Sequence, residues 1–145
     1  MSGPTQPTEQ YFDKGNWGFD GSQWRKLGLL WGYTDRWLEQ VVIADAAAGD
    51  NFLDATAIPA GYVYVASVIA GVDTTSNPAE ILFGIKIGGA YYYMKRVPLP
   101  GVNVYGEWSG AGIFKAGDKP TVVMTGCTLH DVLVANYWGY KMAVG

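Results

Sequence analysis

The stretch Ile81 to Val97 reads ILFGIKI, then Gly88-Gly89, then AYYYMKRV. Two runs rich in β-branched and aromatic residues, joined by a Gly-Gly pair, predict a β-hairpin. A two-residue turn needs positive φ, which glycine adopts without steric cost. With Gly88 and Gly89 as the loop, Ile87 faces Ala90, Ile85 faces Tyr92, Phe83 faces Met94 and Ile81 faces Arg96. One face then holds Ile81, Phe83, Ile85, Ile87, Tyr92 and Met94 and is expected to be buried. The other holds Leu82, Lys86, Tyr91, Tyr93 and Lys95, with Gly84 under Tyr93. A slip of one residue would send the isoleucines into water, so the pattern specifies the register.

The rest of the chain organises itself around this hairpin. Strands are expected over 37–43, 51–57, 62–70, 102–110, 112–115, 121–125 and 132–144. Turns or loops separate them at 44–50, Pro59-Ala60-Gly61, 71–79, Ala116-Gly117-Asp118-Lys119 and 126–131. Both faces of 62–70 are largely apolar, which places it centrally, and the long final strand is expected inside a sheet. With no long helical period, about eight strands predict an all-β domain. Its expected form is an antiparallel β-sandwich or jelly-roll-like barrel over 41–145.

Residues 1–40 differ in kind and predict an extended N-terminal arm. Residues 1–10 are polar, contain Pro4 and Pro7, and are expected to be flexible. Residues 11–40 form an aromatic, glycine-rich contact segment carrying Tyr11, Phe12, Trp17, Phe19, Trp24, Trp31, Tyr33 and Trp37. One reading folds these rings back as a cap on the sandwich. The other anchors them in another subunit, since Trp and Tyr are the usual anchors of interfaces. Together with Tyr91 and Tyr93 they are the candidate partner-binding residues. For the tyrosine face the competing reading is burial beneath the arm or a second sheet.

Composition narrows the function. A net charge of −3, and basic residues that run together only in pairs such as Arg25-Lys26 and Lys95-Arg96, argue against nucleic acid as a partner. The mostly apolar run 62–72 is too short to span a bilayer, which takes ~20 residues, so no membrane partner is expected. Cys127 is the single cysteine, which rules out a disulfide framework within the chain. Cys127 and His130 have C-x-x-H spacing beside Asp131, but zinc takes three or four ligands, and an ordinary loop with a buried thiol is the expectation. Asp45, Asp50 and Asp54 lack the spacing of a calcium loop. A single histidine and no G-x-S-x-G leave little for nucleophilic catalysis. The expectation is therefore no catalytic residue, no metal and no cofactor.

Several short features together resemble a known family. They are the polar leader, the aromatic segment with Asp20-Gly21, Trp24 and Trp31-Gly32-Tyr33, the Pro59-Ala60-Gly61 and Ala116-Gly117-Asp118 turns, and the closing Trp138-Gly139-Tyr140. They look like the small structural proteins of tailed bacteriophages. The chain is similar in particular to the capsid decoration proteins, also called auxiliary or cement proteins, of long-tailed phages, including those of thermophilic hosts. The resemblance implies a homotrimer of β-sandwich or jelly-roll units made in the host cytoplasm and carried on the virion. Its partner would be the major capsid protein, with capsomers bridged by arm and sandwich. Tail-tip and fibre-associated domains share this architecture. The alternative is thus a carbohydrate- or receptor-binding module of a tail or fibre, and carbohydrate is a partner only in that case.

Overall fold

A computed structural model describes residues 17–19, 24–26 and 33–144, and it divides the chain into two compact units with the boundary after Tyr33. In the first unit, strand β1 (Trp17–Phe19) pairs antiparallel with β2 (Trp24–Lys26), with Gly18 opposite Arg25. This two-stranded ribbon interrupts a segment for which no regular element was expected.

The second unit is a sandwich of two four-stranded sheets, with no helix among the described residues. Its strands are β3 (Tyr33–Ile43), β4 (Gly49–Asp54), β5 (Tyr62–Asp73), β6 (Glu80–Ile87), β7 (Ala90–Pro98), β8 (Gly106–Lys115), β9 (Lys119–Cys127) and β10 (Leu133–Ala143). One sheet has the order β3-β10-β5-β8 and the other β4-β9-β6-β7. The first strand thus neighbours the last, the second the second-last, and so inward to the β6-β7 hairpin at the centre. A long hairpin rolled up in this way is the jelly roll. The expected class is present, and β5 and β10 occupy the interior of their sheet as their sequences require.

The hairpin turns at Gly88-Gly89, and Ile87 faces Ala90 as the pattern predicts. Beyond Gly84 the register slips by one through a bulge at Met94, so Phe83 faces Lys95 and Ile81 faces Val97. Ile81 and Phe83 are fully buried and Ile85 packs on the core. Ile87, Tyr92 and Met94, expected inward, are exposed. β7 is an edge strand, and Ile87 lies at the hairpin tip. The segments expected as separate strands over 102–110 and 112–115 form the single strand β8, whose register shifts opposite Ala66 to Val68.

The core lies between the sheets. Trp37, 2% exposed, stacks on Tyr137 at 5.9 Å between ring centroids, with Tyr64 at 5.2 Å and Phe114 at 6.3 Å. The Tyr137 hydroxyl donates to the Leu53 carbonyl and so ties β10 to β4 across the sandwich. This corrects two expectations. A boundary after Gln40 cuts through β3, and Trp37 is a core residue, not a contact of the arm. Its position in the period-two pattern of an edge strand turns it inward.

Candidate binding surfaces

The outer side of the β4-β9-β6-β7 sheet carries the tyrosines singled out from the sequence. Tyr91 and Tyr93 start on one edge strand and Phe52 on the other, roughly 14 Å apart if strands lie ~4.8 Å from one another. Yet the ring centroids of Phe52 and Tyr91 are only 4.8 Å apart, and those of Tyr91 and Tyr93 are 6.3 Å apart. The rings must therefore lean across the sheet, where Gly84 puts no side chain in the way. Thr121 and Val123 have no exposed surface, although their strand positions place them on this outer side.

Polar groups fasten the arrangement. Tyr91 donates its hydroxyl to Asp54 Oδ2 at 3.1 Å, while Thr121 Oγ1 donates to Asp54 Oδ1 at 2.6 Å. Lys86 Nζ lies 3.6 Å from Asp54 and 5.1 Å above the Tyr91 ring. Burial pushes the Tyr91 and Tyr93 hydroxyls above the usual tyrosine range, and contact with Tyr91 raises the Lys86 ammonium. The tyrosine face is thus a second, smaller packed layer. Tyr91 is committed on its ring and at its hydroxyl, and Tyr93 is the more exposed of the pair. Lys95, expected beside them, instead reaches the Glu107 carbonyl on β8 at 2.7 Å.

A different surface follows the margin formed by β7, β8 and the loop joining them. Seven of the fifteen exposed large hydrophobic residues among those described, Tyr93 of the tyrosine face left aside, fall between Tyr92 and Ile113. Tyr92, Met94 and the 72% exposed Ile113 line an open depression together with Phe114 and Gly112. Leu99, Val102, Val104 and Tyr105 continue the apolar character into the loop. Sequence reading passed over this margin, because an edge strand shows the same alternation as an interior one.

The remaining candidates separate. Cys127 is buried against the Met124 carbonyl, and burial pushes its thiol up to about 11, so it is a poor nucleophile at neutral pH. His130 is exposed, takes a left-handed φ of 74°, and places Nδ1 2.5 Å from Asp45 Oδ1. The two residues therefore serve different partners. Of the arm residues, Tyr11, Phe12 and Trp31 lie outside the described residues. Trp17, Phe19 and Trp24 are described only as strand backbone, and Tyr33 as the first residue of β3. On the outer side of the other sheet, β3 and β10 bring Gln40 and Asn136, which sequence reasoning had not singled out, beside Trp138, noted there only as part of the closing Trp-Gly-Tyr.

No family model matches this chain, and no curated protein does. Nine solved chains match it. One of them, described as "CBM4 structure and function", is 13% identical, with 72% of this chain and 82% of that chain covered and a TM-score of 0.33. A likeness at that level carries no inference about ligand or partner.

Proposed function

We propose that the chain is a capsid decoration protein of a long-tailed bacteriophage, binding the outside of the shell as a trimer and bridging capsomers through its sandwich and arm. The reading begins from the sequence resemblance, and one structural observation supports it: the apolar margin along β7, the following loop and β8. A monomeric soluble protein seldom leaves so much apolar surface uncovered, and a neighbouring protein surface is what suits an open, extended margin. Clamping a shell calls for area and copy number in preference to an enclosed pocket. Many copies with modest contacts sum to a strong attachment.

The test is binding of purified protein to expanded shells of the cognate phage. Saturation at a fixed copy number and greater resistance of the shells to heat are expected. Ile113→Asp and Tyr92→Asp should each weaken attachment at least ~tenfold, the equivalent of ~1.4 kcal/mol. Light scattering of the free protein over a range of concentrations should report a trimer. Failure to bind shells, together with binding to host cells or to the tail, would replace this reading by the tail- or fibre-associated carbohydrate- or receptor-binding module.

A further inference from the structure

The outer side of the β3-β10-β5-β8 sheet holds a groove of about 490 Å³, lined by none of the residues named above for shell attachment. Its floor is low because β5 contributes the small side chains Val68 and Ala70, which pair with Trp138 and Asn136 of β10. Leu38 and Gln40 of β3 form the opposite wall. Trp138 is 56% exposed and stands directly before Gly139, which faces a bulge at Ser67 of β5. A Cβ at Gly139 would lie 1.8 Å from the Val65 carbonyl oxygen, so close backbone approach fixes the bulge and with it the way Trp138 is presented.

Beside the indole, Gln40 Nε2 donates to Asn136 Oδ1 at 2.9 Å. That bond uses one of the four hydrogens on the two amides, and among the described residues the other three and the Gln40 oxygen take no further partner. Glu39, the charged residue at the groove, accepts the Thr56 N–H on Oε2 at 2.7 Å. The groove therefore combines an exposed aromatic ring, neutral groups that both donate and accept, and no cation.

We propose that this groove is a binding site for a neutral saccharide. The indole of Trp138 would stack on the C–H face of a pyranose, and the Gln40 and Asn136 amides would pair with hydroxyls on adjacent carbons. The match is one of chemistry. Each sugar hydroxyl donates and accepts, as each amide group does, whereas a lipid chain would leave the remaining amide groups without a partner. An anionic ligand would meet no positive charge in the groove. The site lies on a different sheet face from Tyr91 and Tyr93 and apart from the β7-β8 margin, so it stands or falls independently of shell attachment.

The experiment uses the full chain and neutral oligosaccharides, namely tetra- to hexamers of β-1,4-linked glucose, xylose, mannose and N-acetylglucosamine. Binding is followed by calorimetry and by the side-chain amide signals of Gln40 and Asn136 in NMR spectra. At least one oligomer should bind and shift both amide signals. Trp138→Ala should abolish binding with the melting temperature held, Trp138→Phe should restore part of it, and Asn136→Ala should weaken it at least ~tenfold. Tyr93→Ala should leave it unchanged. Absence of binding by every oligomer, binding undiminished in Trp138→Ala, or loss that follows Tyr93→Ala instead would each overturn the proposal.

Discussion

Asp73 and Asp131 are both buried where the loop after β5 meets the loop before β10. Asp73 Oδ1 accepts the Thr75 and Ser76 N–H groups, each at 2.9 Å, while buried Asp73 Oδ2 finds no donor. Asp131 accepts Ser76 Oγ at 2.6 Å and the Thr128 N–H at 2.8 Å. A proton on Asp73, given to Asp131, resolves the orphan. Burial, opposed by the two backbone bonds and helped by Asp131, holds the Asp73 carboxyl above the usual range. Burial also pushes Asp131 up, but its bonds from Ser76, Thr128 and Asp73 outweigh that and hold it low. The signs then follow. As pH rises past about 3.9, the unfolded chain releases the Asp73 proton before the folded one does, so stability falls until Asp73 ionises in the folded state. The Asp131 contribution is present above that pH and is lost as pH falls through its lowered folded value. Asp73→Asn places a permanent N–H donor toward Asp131 and keeps the oxygen that accepts Thr75 and Ser76. Its melting temperature should lack the downward contribution on the alkaline side of pH 4 that Asp73 is expected to make in the parent. An unchanged slope in that window would mean that the carboxyl pair shares no proton.

At the scale of the element, the bulges at Met94 and Ser67 each face a glycine whose missing side chain leaves room for a carbonyl. A Cβ at Gly84 would lie 2.0 Å from the Tyr92 oxygen and 2.8 Å from the Tyr93 Cα, and backbone cannot yield as a flexible side chain can. Gly84→Ala should therefore cost well above the ~1 kcal/mol typical of a point substitution. Gly89 has open space around its Cβ position and no left-handed φ, so Gly89→Ala should be nearly neutral by denaturant titration. Equal costs at the two positions would show that the bulge is not a constraint. The same hairpin shows what a sequence can disclose. Gly88-Gly89 and the inward Ile81 and Phe83 were legible, because turn chemistry and period-two burial are local. The slip at Met94 and the exposure of Ile87, Tyr92 and Met94 were not, because they depend on packing outside the hairpin itself. The candidate groove illustrates the same limit. Asn136 and Trp138 share a face by their spacing, but nothing local says that Gln40, 96 residues away, lies beside them.

For the whole molecule, the roll decides what the N-terminal region can lose. β3 pairs with β10, so the first strand of the sandwich and the last lie side by side, and β10 is itself enclosed between β3 and β5. Aromatic richness made residues 11–40 look like one contact segment, yet the unit boundary falls after Tyr33 and Trp37 sits at the centre of the core. Deletion of residues 1–40 would remove most of β3, including Trp37, whose loss as a single truncation to Ala already costs ~3–5 kcal/mol at a buried site. Natural domains hold only ~5–15 kcal/mol in reserve, and the deletion also strips the hydrogen-bonding partner from one side of β10. The 41–145 fragment should therefore be unfolded or molten by circular dichroism and near-ultraviolet spectra. Deletion of residues 1–32 spares β3 and every core residue among those described, so 33–145 should melt cooperatively within a few degrees of the full chain. That shorter deletion is accordingly the variant that tests the arm. Loss of shell attachment by a folded 33–145 would assign attachment to the removed segment, whereas full attachment would assign it to the sandwich alone. A folded, cooperative 41–145 would mean that neither β3 nor Trp37 is needed to close the core.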